Sequence, residues 1–178
     1  GKREVIDFEM NLSRNLCEIS EEIKNETYHI SCYYSFKVYE PKERTIHALH
    51  YRDRVVQHCL CDEILAPLFE RHLIYYNAAC RKGKGTLFAI QRLSDFMRTF
   101  YREHGCKGYF LKCDIRKFFD NIDHSVLKDI LTRKIPDPKV LALCEGIIDS
   151  YEITPDRGLP LGNQTSQWFA LMYLDRLD

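Results

Sequence analysis

One stretch of this chain limits its possible folds more than any other: a short apolar run that ends abruptly at a carboxylate. Tyr109 to Cys113 predicts a buried strand, and Asp114 follows it directly. Mg²⁺ prefers oxygen ligands and is commonly held by one or two carboxylates together with substrate phosphates. A strand end also places a side chain rigidly, and phosphoryl transfer depends on such placement. The pattern therefore indicates a magnesium site, although an Asp at a strand end is also a common cap or turn residue.

Phe119 lies five residues beyond Asp114 and adds a second feature to this pattern. An aromatic side chain beside a metal-bound nucleotide can exclude a ribose 2′-hydroxyl by its bulk and so select deoxynucleotides. The alternative is that Phe118 and Phe119 both belong to the hydrophobic core. We expect at least one of them to do so.

The segment from Asp114 to His124 closely resembles the first palm motif of reverse transcriptases, an Asp-Ile-x-x-Phe-Phe-Asp-x-Ile-x-His pattern. The resemblance implies that Asp114 is the catalytic metal ligand and that the Ile115 carbonyl is a second metal contact. It also implies that Phe119 selects the sugar. Three further residues are interpreted as turn formers and as the N-cap region of the next helix: Asp120, Asp123 and His124.

Residues 158–170 form a second match, a glycine-rich loop that opens a helix. Such a loop lets the backbone come close to a ligand. The string resembles the second conserved palm motif of reverse transcriptases, which implies that Leu161, Gly162 and Gln167 contact the incoming nucleotide. Retroviral and ordinary intron enzymes have Gln in place of Leu161, and intron enzymes usually have Pro in place of Gln167. The string is more like diversity-generating retroelement enzymes, and the loss of a polar side chain leads to the hypothesis of lower fidelity.

A third match lies upstream, where residues 33–39 and 44–49 predict two strands of a hairpin. In reverse transcriptases a Pro-Lys and a following Arg in the fingers grip the triphosphate of the incoming nucleotide. The resemblance therefore assigns this role to Lys42 and Arg44, although the hairpin here is shorter than in intron enzymes.

Positive charge is concentrated in the middle of the chain, although 26 basic residues balance 26 acidic ones overall. Residues 81–117 contain ten Lys or Arg against three Asp or Glu, which fits a phosphate-binding surface and equally a solvated helix face. Five side chains are candidate nucleic-acid contacts: Arg52, Arg54, Arg81, Lys82 and Lys84. The first two either pair with acids or touch template phosphate, whereas the last three lie on a glycine loop suited to backbone contacts.

Hydrophobic spacing predicts a helix-rich chain. The predicted helices cover residues 11–25, 52–65, 124–134 and 138–151, one that Thr86 caps, and one from Gln164 onward. No CxxC pair accompanies Cys59 and Cys61, so a zinc site is not indicated. Six other cysteines have apolar neighbours and are expected to be buried thiols: Cys17, Cys32, Cys80, Cys106, Cys113 and Cys144.

The three matches together predict an α+β fold, the right-hand polymerase fold of reverse transcriptases, with small antiparallel sheets. Fingers are assigned to residues 1–104 and an incomplete palm to 105–178. The aromatic-x-Asp-Asp hairpin that supplies the other metal carboxylates in this family has no match in the sequence. Asp175 and Asp178 are interpreted as surface residues. The chain is therefore expected to end before that hairpin and to lack polymerase activity by itself.

The resemblance implies an RNA-directed DNA polymerase of a bacterial retroelement, of the diversity-generating or group II intron-like type. Two Mg²⁺ ions, dNTPs, an RNA template and a DNA or RNA primer are the implied cofactor and partners, with an accessory basic protein of the same element. A cytoplasmic location is expected, because no stretch approaches the roughly 20 apolar residues of a membrane span and no signal peptide is evident. Two alternatives remain: a non-catalytic RNA-binding module on a degenerate reverse transcriptase fold, maturase-like or defence-related, and an α/β domain of another role.

Overall fold

The computed structural model describes residues 2–177, which form eight α-helices and one two-stranded sheet in that part of the chain. The helices are α1 (Lys2–Met10), α2 (Leu12–Lys24), α3 (Tyr51–Cys59), α4 (Ala66–Phe69), α5 (Thr86–His104), α6 (His124–Thr132), α7 (Pro138–Asp149) and α8 (Gln164–Leu174). The strands are β1 (Tyr34–Val38) and β2 (Arg44–Ala48). A π-helical segment, Leu60–Leu65, joins α3 to α4, and a 3₁₀ turn, Phe119–Asn121, precedes α6.

The predicted hairpin is confirmed. β1 and β2 pair antiparallel, with Tyr34 opposite Ala48 and Val38 opposite Arg44. Every residue of β1 is exposed, whereas the last three residues of β2 are half-buried. The sheet therefore contacts the rest of the protein through β2.

The predicted helices are confirmed, with differences at their ends. The helix predicted over 52–65 continues without interruption as α3, the π-helical segment and α4. Asp123 caps α6, because its side chain accepts hydrogen bonds from the backbone of Ser125 and Val126. Thr86 is not a cap: it is the first helical residue of α5, and Gly85 occupies the N-cap position without any side-chain cap.

The strand predicted over Tyr109–Cys113 does not form. These residues have no regular secondary structure, and Tyr109, Phe110 and Leu111 are among the most exposed apolar side chains in residues 2–177. A strand is stabilised by the hydrogen bonds of a neighbour. Within residues 2–177 the sheet contains only β1 and β2, so this apolar run has no strand to pair with.

The main core lies among α6, α7, α8 and the π-helical segment. Trp168, Phe169, Leu127 and Ile148 are almost wholly buried there. Phe118 and Phe119 are half-buried and pack against the edge of this core. A smaller cluster of Phe8, Ile19 and Val56 joins the first two helices to α3.

The expectation of buried thiols is confirmed for Cys144 and wrong for the other five cysteines, and the interpretation of Asp175 as a surface residue is also wrong. Only Cys61 and Cys144 are buried, whereas the other cysteines are exposed thiols: Cys17, Cys32, Cys59, Cys80, Cys106 and Cys113. Apolar neighbours in sequence do not bury a side chain that points away from the core. Asp175 is largely buried and forms an ion pair with Lys134 at 2.6 Å, so it is not a surface residue. Asp178 lies outside the described residues.

Candidate functional site

The loop 158–163 lies against the segment that leads into α6, which brings the two palm-like matches together. The backbone N–H of Leu159 donates to the Phe119 carbonyl, and that of Gly158 donates to the Ile122 carbonyl, both at 2.9 Å. These two bonds fix the position of the loop relative to Phe119.

His124 adds a side-chain tie between the same two segments. Its ring is buried, and Nε2 lies 2.7 Å from the carbonyl oxygen of Gly158. Because a carbonyl can only accept, Nε2 carries the proton in this bond. Its backbone N–H also donates to the Asp156 carbonyl at 3.0 Å. The histidine of the first motif thus holds the loop of the second.

The hairpin contacts the same loop through β2. The backbone N–H of His47 donates to the Leu161 carbonyl at 3.0 Å. Gly162 has φ of 111°, a conformation that favours glycine, and a Cβ added there would lie 2.7 Å from Cγ2 of Ile46. Glycine at this position therefore allows β2 to approach the loop closely.

Two side-chain bonds anchor the start of α8. The Gln164 amide donates to Asp62 at 2.8 Å, and the buried Thr165 hydroxyl donates to Gln57 at 3.1 Å. Both partners belong to α3 and its π-helical continuation. The loop 158–163 is therefore held at both ends by packed elements.

Gln167 connects this loop region to the basic glycine loop. Its side-chain Oε1 accepts a hydrogen bond from the Cys80 thiol at 2.9 Å, and Cys80 directly precedes Arg81. Sequence reasoning did not identify Cys80, His47 or His124 as residues that hold the site together. Only the position of His124 in the first motif gave any signal.

The structure brings four predicted site residues to one region: Phe119, Leu161, Gly162 and Gln167. Lys42 and Arg44 are exposed at the end of the hairpin. Asp114 and Ile115 are exposed on the unpaired segment, and neither forms an ion pair or side-chain hydrogen bond with a described residue.

A magnesium site is not assembled in the part of the chain that the structure describes. No group of three His, Cys, Asp or Glu side chains is positioned there to hold a metal ion. The Asp114 carboxylate and the Ile115 carbonyl are nevertheless oxygen donors of the type that Mg²⁺ prefers. The donor chemistry of these two residues therefore fits the ion.

Arg52 and Arg54 have different surroundings. Arg52 forms an ion pair with Glu22, and its guanidinium lies over the Tyr28 ring, 5.4 Å from the ring centre. Of the two alternatives for Arg52, the structure therefore shows pairing with an acid. Arg54 lies over the Tyr51 ring at 5.4 Å, and its buried Nε has no hydrogen-bond partner among the described residues.

The cations of the glycine loop bond to carbonyl oxygens rather than to carboxylates. Arg81 donates to the carbonyls of Ile74 and Asn77 at 2.9 and 3.3 Å, and Lys84 donates to the carbonyl of Tyr75. Lys82 is exposed. Carbonyl partners hold these side chains in place but leave their positive charge uncompensated.

Asp53 is a buried carboxylate whose importance the sequence did not reveal. It accepts hydrogen bonds from the Tyr28 hydroxyl at 2.7 Å and from the Ser31 backbone at 3.1 Å. Burial, reinforced by this bond to a carboxylate, raises the pKa of Tyr28 well above its usual range. The Asp of the Arg-Asp-Arg pattern therefore ties α3 to the segment before β1.

Comparison with known proteins shows that the chain is distantly homologous to group II intron-encoded proteins. It is 26% identical to the group II intron-encoded protein LtrA of Lactococcus lactis over 175 residues, which cover 90% of this chain and 27% of LtrA. It is 25% identical over 134 residues, 71% of the chain, to the putative COX1/OXI3 intron 2 protein of Saccharomyces cerevisiae. The chain thus spans about a quarter of the length of LtrA and 15% of the yeast protein.

No protein-family model matches the chain. Within residues 2–177 no helix is both long and apolar enough to cross a membrane.

Proposed function

We propose that this chain forms the fingers, residues 1–104, and part of the palm, residues 105–178, of an RNA-directed DNA polymerase from a bacterial retroelement. The observation that carries the proposal is the meeting of three sequence matches at one loop. Leu159 is bonded to Phe119, and Leu161 is bonded to His47 of the hairpin. Chance resemblance of three separate strings would not require them to contact one another. Homology to group II intron-encoded proteins over 90% of the chain supports the same proposal.

Each side chain has a separate task in the proposed reaction. Lys42 and Arg44 donate hydrogen bonds to the triphosphate of the dNTP. Phe119 excludes a ribose 2′-hydroxyl, and Gly162 lets the backbone approach the new base pair. The Asp114 carboxylate and the Ile115 carbonyl would hold Mg²⁺, which when bound supplies Lewis-acid stabilisation of the transferred phosphoryl group.

The type of retroelement is a finer proposal. Leu161 and Gln167 favour the diversity-generating type, in which an accessory basic protein would be a partner, whereas the comparisons favour a group II intron-like type. An RNA template and a DNA or RNA primer are common to both. The sequence contains no aromatic-x-Asp-Asp string, so we expect the 178-residue chain to bind nucleic acid without extending a primer.

Primer extension tests the proposal. The assay uses the protein encoded by the complete reading frame that contains this chain, with an RNA template, a DNA primer, Mg²⁺ and dNTPs. Asp114→Asn should reduce extension by about a thousandfold or more, because loss of a metal ligand removes several kcal/mol of stabilisation. Asp129→Asn is the matched control, since Asp129 is an exposed carboxylate on α6.

The two possible results separate the proposed polymerase from a binding module. Extension by the unmodified protein and by Asp129→Asn, but not by Asp114→Asn, supports catalysis at Asp114. If the unmodified protein fails to extend the primer while all three proteins bind RNA equally, the catalytic proposal fails. The non-catalytic RNA-binding module would then be the better description.

A further inference from the structure

Four aromatic rings form a continuous row beside the basic glycine loop. The ring centres of Phe88 and Tyr75 are 5.7 Å apart, those of Tyr75 and Tyr76 are 5.2 Å apart, and those of Tyr76 and Phe96 are 4.8 Å apart. Phe88 and Phe96 come from α5, whereas the tyrosines come from the segment that follows α4. We refer to these four residues as the aromatic ladder.

The aromatic ladder lies on the protein surface. Tyr75, Tyr76 and Phe96 remain 60%, 51% and 49% exposed, and Phe88 is half-buried. No residue of α5, all of which is described, is buried. Contiguous apolar surface of this kind commonly marks an interaction site.

Cations of the glycine loop lie directly against the aromatic ladder. The Lys84 ammonium is 4.1 Å from the centre of the Tyr75 ring and 4.9 Å from that of Phe88. The Arg92 guanidinium is 5.9 Å from the Phe88 ring centre, but Arg92 also pairs with Asp95 at 2.8 Å. Rings and positive charge are therefore interleaved on one surface.

The loop cations Arg81 and Lys84 are held by backbone carbonyls rather than by ion pairs in the described part of the chain. Arg81 and Lys84 bond to backbone carbonyls, and neither they nor Lys82 form an ion pair with any residue of 2–177. Desolvation and the nearby Arg81 charge lower the pKa of Lys84, whereas the charge of Glu70 acts in the opposite direction. A bound anion would relieve this repulsion, which makes a polyanion the complementary partner.

We propose that the aromatic ladder, together with Arg81, Lys82 and Lys84, binds single-stranded nucleic acid. Unpaired bases stack on the exposed rings of Tyr75, Tyr76 and Phe96, while the loop cations contact the adjacent phosphates. Stacking requires exposed base faces, so a duplex is excluded as the preferred ligand. A purely apolar protein partner is less favoured, because it would leave the three cations unpaired.

This surface extends the proposed polymerase, in which it would hold the unpaired part of the template. Only the identification of the bound single-stranded nucleic acid as a template rests on the proposed function. Binding itself does not involve Asp114 or any metal ion. The two proposals can therefore fail separately.

Fluorescence anisotropy on the 178-residue chain tests the inference without Mg²⁺ or dNTPs. The probes are labelled oligouridylate and oligothymidylate of about 12 nucleotides, within the usual site size, and a duplex of the same length. Both single strands should bind more tightly than the duplex, and comparison of the two reveals any preference for RNA over DNA.

Aromatic variants should weaken binding without changing its dependence on salt. Tyr75→Leu and Tyr76→Leu keep an apolar side chain but remove the ring face. Each should lower the affinity about 5-fold or more, because one stacked base contributes about 1–3 kcal/mol. Tyr39→Leu is the matched control: Tyr39 is 68% exposed and lies just beyond the hairpin strand β1. Circular dichroism verifies that each variant is folded.

Cation variants should change the salt dependence instead. Lys82→Gln and Lys84→Gln should each reduce the slope of log K against log salt by about 0.7, the value for one phosphate contact to a single strand. Lys139→Gln is the control, because Lys139 is an exposed lysine on α7 that pairs with Glu26.

Three results would overturn the inference. Unchanged binding by the tyrosine variants would mean that phosphate contacts are the sole source of affinity. Equal affinity for duplex and single strand would exclude base stacking. If the chain does not bind nucleic acid but self-associates, and Tyr76→Leu abolishes this self-association, the aromatic ladder is a protein–protein interface instead. Loss of primer extension in the complete protein, with single-strand binding intact, would instead count only against the proposed polymerase.

Discussion

Asp53 shows how much one side chain can contribute to the frame that carries the site. Its carboxylate is fully buried, yet it accepts hydrogen bonds from Tyr28 and Ser31 and lies 3.9 Å from the Arg52 guanidinium. A buried carboxylate is tolerated only when such partners replace its water. Removal of the carboxylate would leave the hydroxyl of Tyr28 without its acceptor.

We therefore expect Asp53→Ala to lower the free energy of unfolding by about 3 kcal/mol, as for other broken buried charge networks. Urea denaturation followed by circular dichroism measures this change. Asp95→Ala is the control, since Asp95 is a half-exposed acid of α5 in surface ion pairs with Arg92 and Arg98, and it should change stability by no more than about 1 kcal/mol. Equal losses in the two variants would show that the Asp53 network is not a special support.

Asp123 makes stability depend on pH. Hydrogen bonds from the Ser125 hydroxyl and the Val126 backbone N–H hold the pKa of Asp123 below its ordinary value. The ionised Asp123 carboxylate therefore contributes to the free energy of unfolding at neutral pH. This contribution is lost as the pH falls below the ordinary Asp pKa of about 3.9 and then through the lower pKa of Asp123 in the folded protein. Asp123→Asn, which keeps a good N-cap, should destabilise the protein more at pH 7 than at pH 3. Denaturant midpoints at the two pH values measure this, and equal destabilisation at both would contradict the prediction.

Among the secondary-structure elements, those that depend on local information could be predicted from the sequence. The amphipathic spacing over 11–25 predicts α2, and the β-branched and aromatic residues before and after Pro41 predict the hairpin. Local sequence alone could not decide whether residues 109–113 form a strand, because a strand also needs a pairing partner that the local sequence does not specify. The structure leaves that segment unpaired.

Part of the candidate site was predictable because local sequence motifs identify its residues. Phe119, Leu161 and Gly162 were identified from short ordered motifs, and the structure brings their segments together. The contacts of His47 with Leu161 and of Cys80 with Gln167 were not predictable, because each joins residues that are far apart in sequence. Such contacts depend on how whole elements pack rather than on any local pattern.

The contact between β2 and the loop 158–163 can be tested through one glycine. Gly162→Ala should destabilise the protein by about 1–3 kcal/mol, because alanine at φ of 111° is strained and its Cβ would lie 2.7 Å from Ile46. Gly146→Ala is the matched control: Gly146 lies within α7, and a Cβ there meets nothing within 4 Å. It should stabilise by about 0.5–1 kcal/mol. Thermal and urea unfolding compare the two, and equal effects would disprove the close approach.

Across the protein, burial and proposed function are unevenly distributed. The buried core is built mainly from residues 60–73 and 122–172. Most of the hairpin, the glycine loop, α5 and the Asp114 segment are exposed and carry most of the candidate ligand-binding residues. A rigid core with functional groups on exposed segments is a common division of roles. It predicts that chemical probes will distinguish the two parts clearly.

Cysteine alkylation measures this division directly, because the eight cysteines lie in both parts. Iodoacetamide at pH 8 should label the six exposed thiols in the native protein and leave Cys61 and Cys144 unmodified until the chain unfolds. Burial raises the pKa of Cys144 to about 12 and that of Cys61 further still, so both lack reactive thiolate as well as access. Among the exposed thiols Cys80 should react slowly, since burial raises its pKa and it donates to Gln167. Peptide mass spectrometry over a time course measures the extent of alkylation at each cysteine. Gln167→Ala should accelerate the alkylation of Cys80 and of no other cysteine. Equal alkylation of all eight cysteines in the native protein would contradict the buried core.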